Sequence, residues 1–371
     1  MGIFGEVGLV SLKSENSILF LEKTFLYDDP ALIGGVELFN INLIREIAET
    51  GCRLVVPANQ KWGDVIRKSL GQSVVEIVDL LPGLDTVTKG LSMVWRFRNR
   101  RFKLLLVGNT GNRLIPLVWM LKKLRMVEHY VAILHREPAP QFVNALRHLP
   151  IDILAVNGKI ASHFDKAVFP NVRVGYGIMH HDQYFPALPS SYVPKQSVDF
   201  CVVGHLDRKW KGADTAISAF RNMPDELRAK CRLHLLGYTT PPSFPEPNII
   251  VYNWKTRDEV GPLLRQMDVM IVPSRDEKVM RETFSQTAVQ GMLSGLPLIV
   301  SDLPVLVEKV DKGGGLVFHD ETDLTKAMIK LATEPEFRRT QGAICRQTAL
   351  ARYVWDTKAF MKEYIDPFLA D

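Results

Sequence analysis

The chain has 371 residues, 46% of them hydrophobic and 23% charged, with a net charge of +5 at pH 7. This is enough for two domains with hydrophobic cores, and no apolar run approaches the roughly 18–20 residues that a membrane-spanning helix needs. Four widely spaced cysteines and the lack of an evident signal peptide predict a reduced, cytoplasmic setting, and nothing in their spacing indicates a metal site.

The first part of the chain alternates predicted strands and helices. Residues 18–22, ILFLE, predict a first strand, and the polar loop after it contains Gly34 and Gly35. Apolar residues at helical spacing from Val36 to Ala48 predict a helix that Gly51 ends. A glycine pair before a helix either forms a tight turn or lets the backbone approach a phosphate closely. Further strands are predicted at 54–56, 74–81, 104–107, 131–134 and 151–156, with a helix at 112–126.

A basic stretch lies between two of these strands. It begins at Lys89 and ends at Lys103, carries six basic residues and no acidic one, and includes Trp95. Lys122 and Arg125 lie at the end of the predicted helix 112–126. Such a face suits an anionic membrane surface. The alternatives are a solvated charged segment or, less favoured, a nucleic-acid patch, and we expect no nucleic acid as partner.

A Pro- and Ser-rich run at residues 187–196 predicts an interdomain linker. We therefore predict an N-terminal domain over 1–190, a second domain over 191–352 and a C-terminal helix over 353–371. The second domain repeats the alternation, which predicts parallel sheets covered by helices on both faces. Its strands are predicted at 199–203, 232–236, 249–252, 268–272 and 298–300, and its helices at 214–222, 257–267, 282–295, 324–333 and 336–352.

Two loops of the second domain carry residues suited to a phosphorylated ligand. The loop 204–212, GHLDRKWKG, contains His205, Arg208 and Lys211. After the strand 268–272, a helix is predicted to open at Glu282 and to end at Gly295. That places a carboxylate beside the unpaired backbone N–H groups of the first helical turn, an arrangement that binds anions. The predicted N–H donors are those of Thr283, Phe284 and Ser285.

These motifs together resemble those of retaining GT-B glycosyltransferases, family 4 or group 1. In that family a glutamate lies beside the donor sugar and a second one holds the nucleotide ribose. Glu282 matches the first, and Gln290 stands at the position of the second. Lys211 matches a lysine that holds the donor diphosphate, whereas His205 replaces the arginine of the pair, and Arg208 or Lys209 could substitute for that arginine.

The first domain adds to the resemblance. Gly34 and Gly35 match the family's GGxE opening, and His135, which follows the predicted strand 131–134, matches a histidine on the acceptor side. The resemblance implies two Rossmann-like, doubly wound α/β domains facing across a cleft, with the last helix returning to the first domain. A histidine at a strand end is equally consistent with a satisfied core residue.

The implied activity is retaining transfer of a hexose-type sugar from a nucleoside diphosphate sugar to a glycan, or to a lipid-linked or cell-envelope acceptor. In this reading Glu282 and His135 act in catalysis, and no metal or other cofactor is required. The protein would be cytoplasmic and peripheral on the inner face of the membrane, in polysaccharide biosynthesis. The alternatives are a catalytically reduced nucleotide-sugar-binding protein and a sugar-nucleotide epimerase of the same fold.

Overall fold

The computed structural model describes residues 15–27, 30, 35–70, 75–80, 86–109, 112–179, 181–187, 197–276 and 282–369. The chain forms two compact units, of which the first comprises Met1–Tyr176 and Asp356–Asp371 and the second Gly177–Trp355. The predicted domain boundary lies later, at residue 190. The predicted linker 187–196 falls almost entirely outside the described residues, so it stays a prediction.

The first unit contains a seven-stranded parallel sheet in the order β3-β2-β1-β4-β5-β6-β7. Its strands are β1 (Glu15–Leu21), β2 (Arg53–Asn59), β3 (Val75–Leu80), β4 (Phe102–Val107), β5 (Val127–Leu134), β6 (Ile151–Ala155) and β7 (Val172–Val174). Its helices are α1 (Lys23–Tyr27), α2 (Gly35–Glu49), α3 (Gln60–Leu70), α4 (Thr86–Phe97), α5 (Ile115–Lys123), α6 (Pro140–Leu146) and α7 (Gly158–Ala161).

The centre of this sheet forms because its strands are apolar on both faces. Residues 18–21 of β1 have no exposed surface, which is typical of a parallel strand covered by helices on both sides. After α2 the chain turns at Gly51, whose φ of 87° lies in the left-handed region that glycine adopts without a side-chain clash. The sequence-based prediction of this strand–helix–strand unit is confirmed.

The second unit contains a six-stranded parallel sheet in the order β10-β9-β8-β11-β12-β13. Its strands are β8 (Val198–Val203), β9 (Cys231–Tyr238), β10 (Ile249–Asn253), β11 (Val269–Val272), β12 (Leu298–Ser301) and β13 (Gly315–Phe318). Its helices are α8 (Ala213–Arg221), α9 (Asp225–Arg228), α10 (Arg257–Leu264), α11 (Gln286–Leu293), α12 (Pro304–Val310), α13 (Glu321–Thr333) and α14 (Pro335–Arg352).

The last two helices belong to the first unit. They are α15 (Thr357–Tyr364) and α16 (Asp366–Leu369). The hydroxyl of Thr357 donates a hydrogen bond to the carboxylate of Glu46 on α2, and the ring of Phe368 stacks on His129 of β5 at 4.1 Å between centroids. These contacts attach the C-terminal helices to one helix and one strand of the first unit.

Each sheet has a topological switch point, where the order of strands reverses. It lies between β1 and β4 in the first unit and between β8 and β11 in the second. Open α/β sheets bind their ligands outside the carboxyl ends of the strands at such points. The predicted pair of doubly wound domains is therefore confirmed, and each fold indicates where to look for a site.

Helices α5, α11 and α3 are among those that differ from the predictions. Helix α5 begins at Ile115 after a 3₁₀ turn over Asn112–Leu114, because Pro116 fits only in a first helical turn. Helix α11 begins at Gln286 rather than at Glu282. Helix α3 had not been predicted. The helical spacing of Trp62, Ile66 and Leu70, which are all buried, is the sequence pattern that indicates it.

Candidate functional site

The loop after β8 and the loop after β11 meet at the switch point of the second sheet. Gly212 joins a 3₁₀ turn, Lys209–Lys211, to helix α8, with a φ of 69°. A Cβ atom at this position would lie 1.9 Å from the carbonyl oxygen of Pro273, so only glycine permits the close approach of the two loops. The N–H of Arg275 donates to the carbonyl of Trp210 at 2.7 Å and fixes the contact.

Lys211 and Glu282, which the sequence predicts to act on the same ligand, form an ion pair in this place. The Nζ of Lys211 lies 2.8 Å from Oε2 of Glu282, and the hydroxyl of Ser274 donates to the same oxygen at 3.2 Å. The two charged side chains are 13% and 10% exposed. The Lys211 ammonium also lies 4.4 Å from the ring centre of Trp210. The fold thus holds a partly accessible pair of opposite charges at the carboxyl edge of the sheet.

The segment from Glu282 to Ser285 is a loop, which corrects the prediction that it starts the helix. Ser285 is the N-cap of α11 with φ 59° and ψ 75°, a left-handed conformation that interrupts the helical path. The N–H groups of the first turn are therefore those of residues 286–288, and not those of Thr283, Phe284 and Ser285. The predicted helix start therefore lies three to four residues later in the chain, and anion binding at that start stays a prediction.

The side chains of this loop have separate surroundings. Phe284 is 6% exposed, and its ring lies 5.9 Å from that of Tyr353, so the side chain is directed into the unit and not toward a ligand. Ser285 is 3% exposed, makes no side-chain cap, and its hydroxyl has no hydrogen-bond partner among the described residues. A buried hydroxyl without a partner, three residues after Glu282, is an exception to the rule that buried polar groups are hydrogen-bonded.

His205 packs against an aromatic ring, and its contact with a donor stays a prediction. Its ring stacks on Trp254 with centroids 4.0 Å apart and an interplanar angle of 17°. Burial, and then the charges of Arg208 and Lys211, lower the pKa of His205, so its neutral form is favoured. Arg208 is half-buried on the same loop and remains the candidate second cation.

Gln290 lies on α11 and is half-buried, one turn beyond the start of the helix. The helix ends as predicted, because Gly295 has a φ of 76°. The position of Gln290 on the same helix that begins beside Glu282 is compatible with contact to a nucleotide, and that role stays a prediction.

In the first unit, His135 follows β5 at the carboxyl edge of the sheet. It is 2% exposed, and its ring centroid lies 5.3 Å from that of Phe39 and 5.2 Å from that of Tyr176. Burial, and then the charge of Arg136, lower its pKa to about 3, so the ring is neutral at physiological pH. Its Nε2 has no hydrogen-bond partner among the described residues. Gly35 is the first residue of α2, and Gly34 lies outside the described residues.

A pair of carboxyl groups at the switch point of the first sheet was not singled out from the sequence. Glu22 follows β1 and is fully buried, and the hydroxyl of Thr24 lies 3.1 Å from its Oε1 and 3.4 Å from Oε1 of Glu37. The N–H of Phe25 donates to Glu22 at 3.0 Å. Burial raises the pKa of Glu22 to about 7. A charged residue at the end of an otherwise apolar strand is the signal that could have found it.

Lys309 is a second residue that the sequence did not indicate as functional. It lies on α12, is 1% exposed, and its ammonium is placed between the rings of Phe284 and Tyr353. Its position three residues after Leu306 and one before Val310, both buried, puts it on the apolar face of the helix. A lysine on an apolar helical face is the available sequence signal.

Within the described part of the chain, no group of three or more His, Cys, Asp or Glu side chains is arranged to hold a metal ion. None of the helices that the structure describes is long and apolar enough to cross a membrane.

Comparison with known proteins places the candidate site in a recognised domain. Residues 197–334 match the family model of glycosyl transferases group 1. A Klebsiella pneumoniae protein, described as an uncharacterized 41.2 kDa protein in the cps region, is 27% identical over 142 residues, which span 37% of this chain and 37% of that relative. Lys211, Glu282 and Gln290 all lie within the matched range 197–334.

Solved structures are similar over nearly the whole chain. HepE from Anabaena in complex with UDP matches with a TM-score of 0.72 and 17% identity, covering 96% of this chain and 100% of HepE. WaaG, a glycosyltransferase involved in lipopolysaccharide biosynthesis, matches with a TM-score of 0.59 and 12% identity, covering 95% of this chain and 99% of WaaG. These likenesses establish the fold, that of the GT-B glycosyltransferases.

Proposed function

We propose that this protein is a glycosyltransferase that moves a sugar from a nucleoside diphosphate sugar to an acceptor. The observation that carries the proposal is the Lys211–Glu282 pair, 2.8 Å between Nζ and Oε2, at the switch point of the second sheet. It lies in the segment that matches glycosyl transferases group 1. HepE, which shares the fold, was solved with UDP bound, which supports a nucleotide donor.

The leaving nucleoside diphosphate needs positive charge near its phosphates. An ammonium group has three N–H donors, so Lys211 can hold Glu282 and a phosphate oxygen together. Arg208 can add a bidentate contact, and the first turn of α11 supplies backbone N–H groups and the positive end of the helix dipole. Donors fixed before the reaction stabilise charge that develops on the leaving group.

Glu282 is proposed to face the donor sugar. Its Oε2 accepts hydrogen bonds from Lys211 and Ser274, whereas its Oε1 receives none from the described residues. That oxygen can accept a hydrogen bond from a sugar hydroxyl or stabilise an oxocarbenium-like transition state. We assign Glu282 to this role and not to that of nucleophile, and we propose that the sugar is a hexose transferred with retention of configuration.

We propose that transfer proceeds without a metal ion, because Lys211, Arg208 and the helix N-terminus can supply the positive charge. The experiment is transfer measured before and after treatment with EDTA. Activity that is lost with EDTA and restored by Mg²⁺ or Mn²⁺ would contradict this part of the proposal.

The acceptor is proposed to be lipid-linked or part of a cell-envelope glycan, met at an anionic membrane surface. On α4, Leu91 and Trp95 are one turn apart and 54% and 65% exposed, and the guanidinium of Arg98 lies 4.2 Å from the Trp95 ring. Helix α4 packs against α5, which ends in Lys122 and Lys123. WaaG, named for lipopolysaccharide biosynthesis, supports an envelope acceptor.

The basic face is smaller than the sequence indicated, since two of its six cations are paired. Arg100 contacts Glu76 at 2.7 Å and Lys103 contacts Glu128 at 3.3 Å. We therefore expect less protein to sediment with anionic vesicles in an Arg96→Ser/Arg98→Ser variant, and also in high salt. A Lys166→Ser control should sediment as the wild type does. Equal sedimentation with neutral and anionic vesicles would contradict membrane attraction by charge.

A direct test uses purified protein with UDP-, GDP- and ADP-sugars. Slow hydrolysis of one donor without acceptor, lost in Glu282→Gln, would support the transferase. Tight nucleotide binding without turnover would instead favour the catalytically reduced binding protein, for which the neutral, stacked His205 is the specific observation. Epimerised sugar nucleotide in the same incubation would identify an epimerase.

A further inference from the structure

Lys309 is a buried cation that the proposed mechanism does not use. Its side chain is 1% exposed, and its Nζ lies 4.5 Å from the ring centre of Phe284 and 4.2 Å from that of Tyr353. The two rings are themselves in contact, with centroids 5.9 Å apart at 77°. No carboxylate among the described residues lies within ion-pairing distance of this ammonium.

A charge in this position is costly for the folded protein. Burial lowers the pKa of Lys309 to about 8, while Glu308 and Glu282 act in the opposite direction. The faces of two aromatic rings compensate the lost hydration only in part. A methionine or leucine could fill similar space at lower cost, so packing alone does not explain a lysine here.

The position of Lys309 connects it with the candidate donor site. Phe284 lies between Thr283 and Ser285, in the loop that carries Glu282 into α11. Ser285 has the left-handed φ of 59°, which a non-glycine residue adopts only when its surroundings hold it. The buried ring of Phe284 is the neighbouring anchor of that loop, and Lys309 lies against the ring.

Two cations therefore contact residues of the same loop. Lys211 pairs with the Glu282 carboxylate at 2.8 Å, and Lys309 lies against Phe284. The charge of Glu282 also acts to raise the pKa of Lys309. In a medium of low effective dielectric, a fixed positive charge attracts an anion over several ångströms. The charge of Lys309 thus adds to the positive end of α11, where the phosphates of the donor are proposed to bind.

We propose that Lys309 is a positioning residue of the nucleoside-diphosphate site: through Phe284 it holds the loop 282–285, and its buried charge strengthens the binding of the anionic ligand. The proposal rests on the proposed function, since it takes a nucleoside diphosphate as the ligand. Lys309 itself does not contact the ligand.

A stability role and a ligand-binding role predict opposite results for Lys309→Met. Methionine keeps the length of the side chain and its contact with aromatic rings but removes the charge. If Lys309 serves the ligand, the variant should be at least as stable as the wild type without nucleotide and should bind nucleoside diphosphates more weakly. If Lys309 serves only the core, stability should fall and affinity should not.

The experiment measures thermal unfolding without ligand and, by calorimetry, the affinities for UDP, GDP and ADP. We expect Lys309→Met to have an unchanged or higher Tm and an affinity about tenfold lower for the diphosphate that the wild type prefers. Lys309→Arg, which keeps the charge and the ring contacts, should bind within about threefold of the wild type.

The matched control is Lys330→Met. Lys330 also places its ammonium over a ring, 4.3 Å from the centre of Phe337, but it is exposed and lies on α13. The Tm of the Lys330→Met variant and its affinity for the preferred nucleoside diphosphate should both remain as in the wild type.

The proposal would be overturned if Lys309→Met bound the diphosphate with wild-type affinity. It would also be overturned if both Lys309→Met and Lys309→Gln had a lower Tm or failed to fold. Either result would leave the proposed function intact. If the wild type binds none of the three diphosphates, the proposed function fails first, and the role of Lys309 fails with it.

Discussion

The carboxyl edges of the two sheets hold their ionisable groups in different states. In the first unit, burial raises the pKa of Glu22 to about 7 and lowers that of His135 to about 3, which shifts both groups toward their uncharged forms. In the second unit, Lys211 and Glu282 are 13% and 10% exposed and lie 2.8 Å apart. An opposite charge close by favours the charged form of a buried group, whereas burial without one shifts the pKa toward the neutral form.

This difference indicates which ligand each edge suits. Fixed charges at the second sheet match phosphates, whereas neutral, hydrogen-bonding groups at the first sheet match the hydroxyl groups of a sugar or a glycan. The assignment of the donor to the second unit and of the acceptor to the first follows from this contrast and remains a prediction. The following substitutions are designed to test it.

The largest effect is expected for Glu282→Gln. We expect transfer to fall by roughly 100-fold or more, because the charge beside the donor sugar is lost. Affinity for the nucleoside diphosphate should change by less than about threefold, since an amide still accepts hydrogen bonds from Lys211 and Ser274. Steady-state kinetics with calorimetry separate the two, and wild-type turnover would remove Glu282 from the mechanism.

Lys211→Ala should weaken diphosphate binding by roughly 1.5–3 kcal/mol, the range for a charge-assisted hydrogen bond. Loss of the ammonium also leaves Glu282 without its ion-pair partner, so donor binding should fall more than in a substitution of another lysine of the same unit. Lys230→Ala is the control, because Lys230 is exposed and lies just before β9, outside the loop 204–212. Equal effects of the two variants would return Lys211 to an ordinary surface role.

His135 should make the first unit sensitive to acid. The unfolded chain takes up a proton at this residue below pH 6.5, whereas the folded chain does so only near pH 3. The contribution of His135 to the free energy of unfolding is therefore complete above pH 6.5. It decreases as the pH falls and is about 2 kcal/mol smaller at pH 5. Chemical unfolding at pH 7 and pH 5 should show this loss as a change in the stability difference between the wild type and His135→Gln, because the contributions of all other groups are common to both proteins. A stability difference that does not change between the two pH values would contradict the lowered pKa of His135.

Glu22 should act in the opposite direction over a similar range. The folded chain holds the proton up to about pH 7, while the unfolded chain releases it near 4.5, so stability rises as the pH falls from 7 toward 4.5. Glu22→Gln removes a penalty of about 3 kcal/mol at pH 8 and keeps acceptor and donor atoms for Thr24 and Phe25. An unfolding curve at pH 8 that shows no gain in stability would contradict the raised pKa.

The smallest effect is expected for Gln290→Glu. The substitution nearly preserves shape and restores the carboxylate that the resemblance expects at the ribose, so nucleotide affinity should change by no more than about fivefold, with tighter binding favoured. Titration with the preferred nucleotide measures it. A folded variant without nucleotide affinity would mean that Gln290 has a different role.

The sequence was most informative where one local pattern determines the structure. The apolar run 18–21 and the left-handed glycines after α2 and α11 define strands and helix ends through local sterics and burial, and they were predicted close to their observed positions. The sequence indicated Lys211 and Glu282 as donor-site residues separately, Lys211 from a basic loop and Glu282 from a motif after a strand. Nothing local shows that residues so far apart in the chain lie in contact.

Tertiary structure decided the features that depend on distant neighbours. Helix α11 begins at Gln286 because Ser285 adopts a left-handed conformation and Phe284 packs against Tyr353, residues that no short window contains together. The shifted pKa values of His135 and Glu22, the stack of His205 on Trp254 and the burial of Lys309 arise in the same way. Composition and spacing determine strands, helices and residue types, whereas the charge state of a side chain depends on solvation and partners that only the folded chain provides.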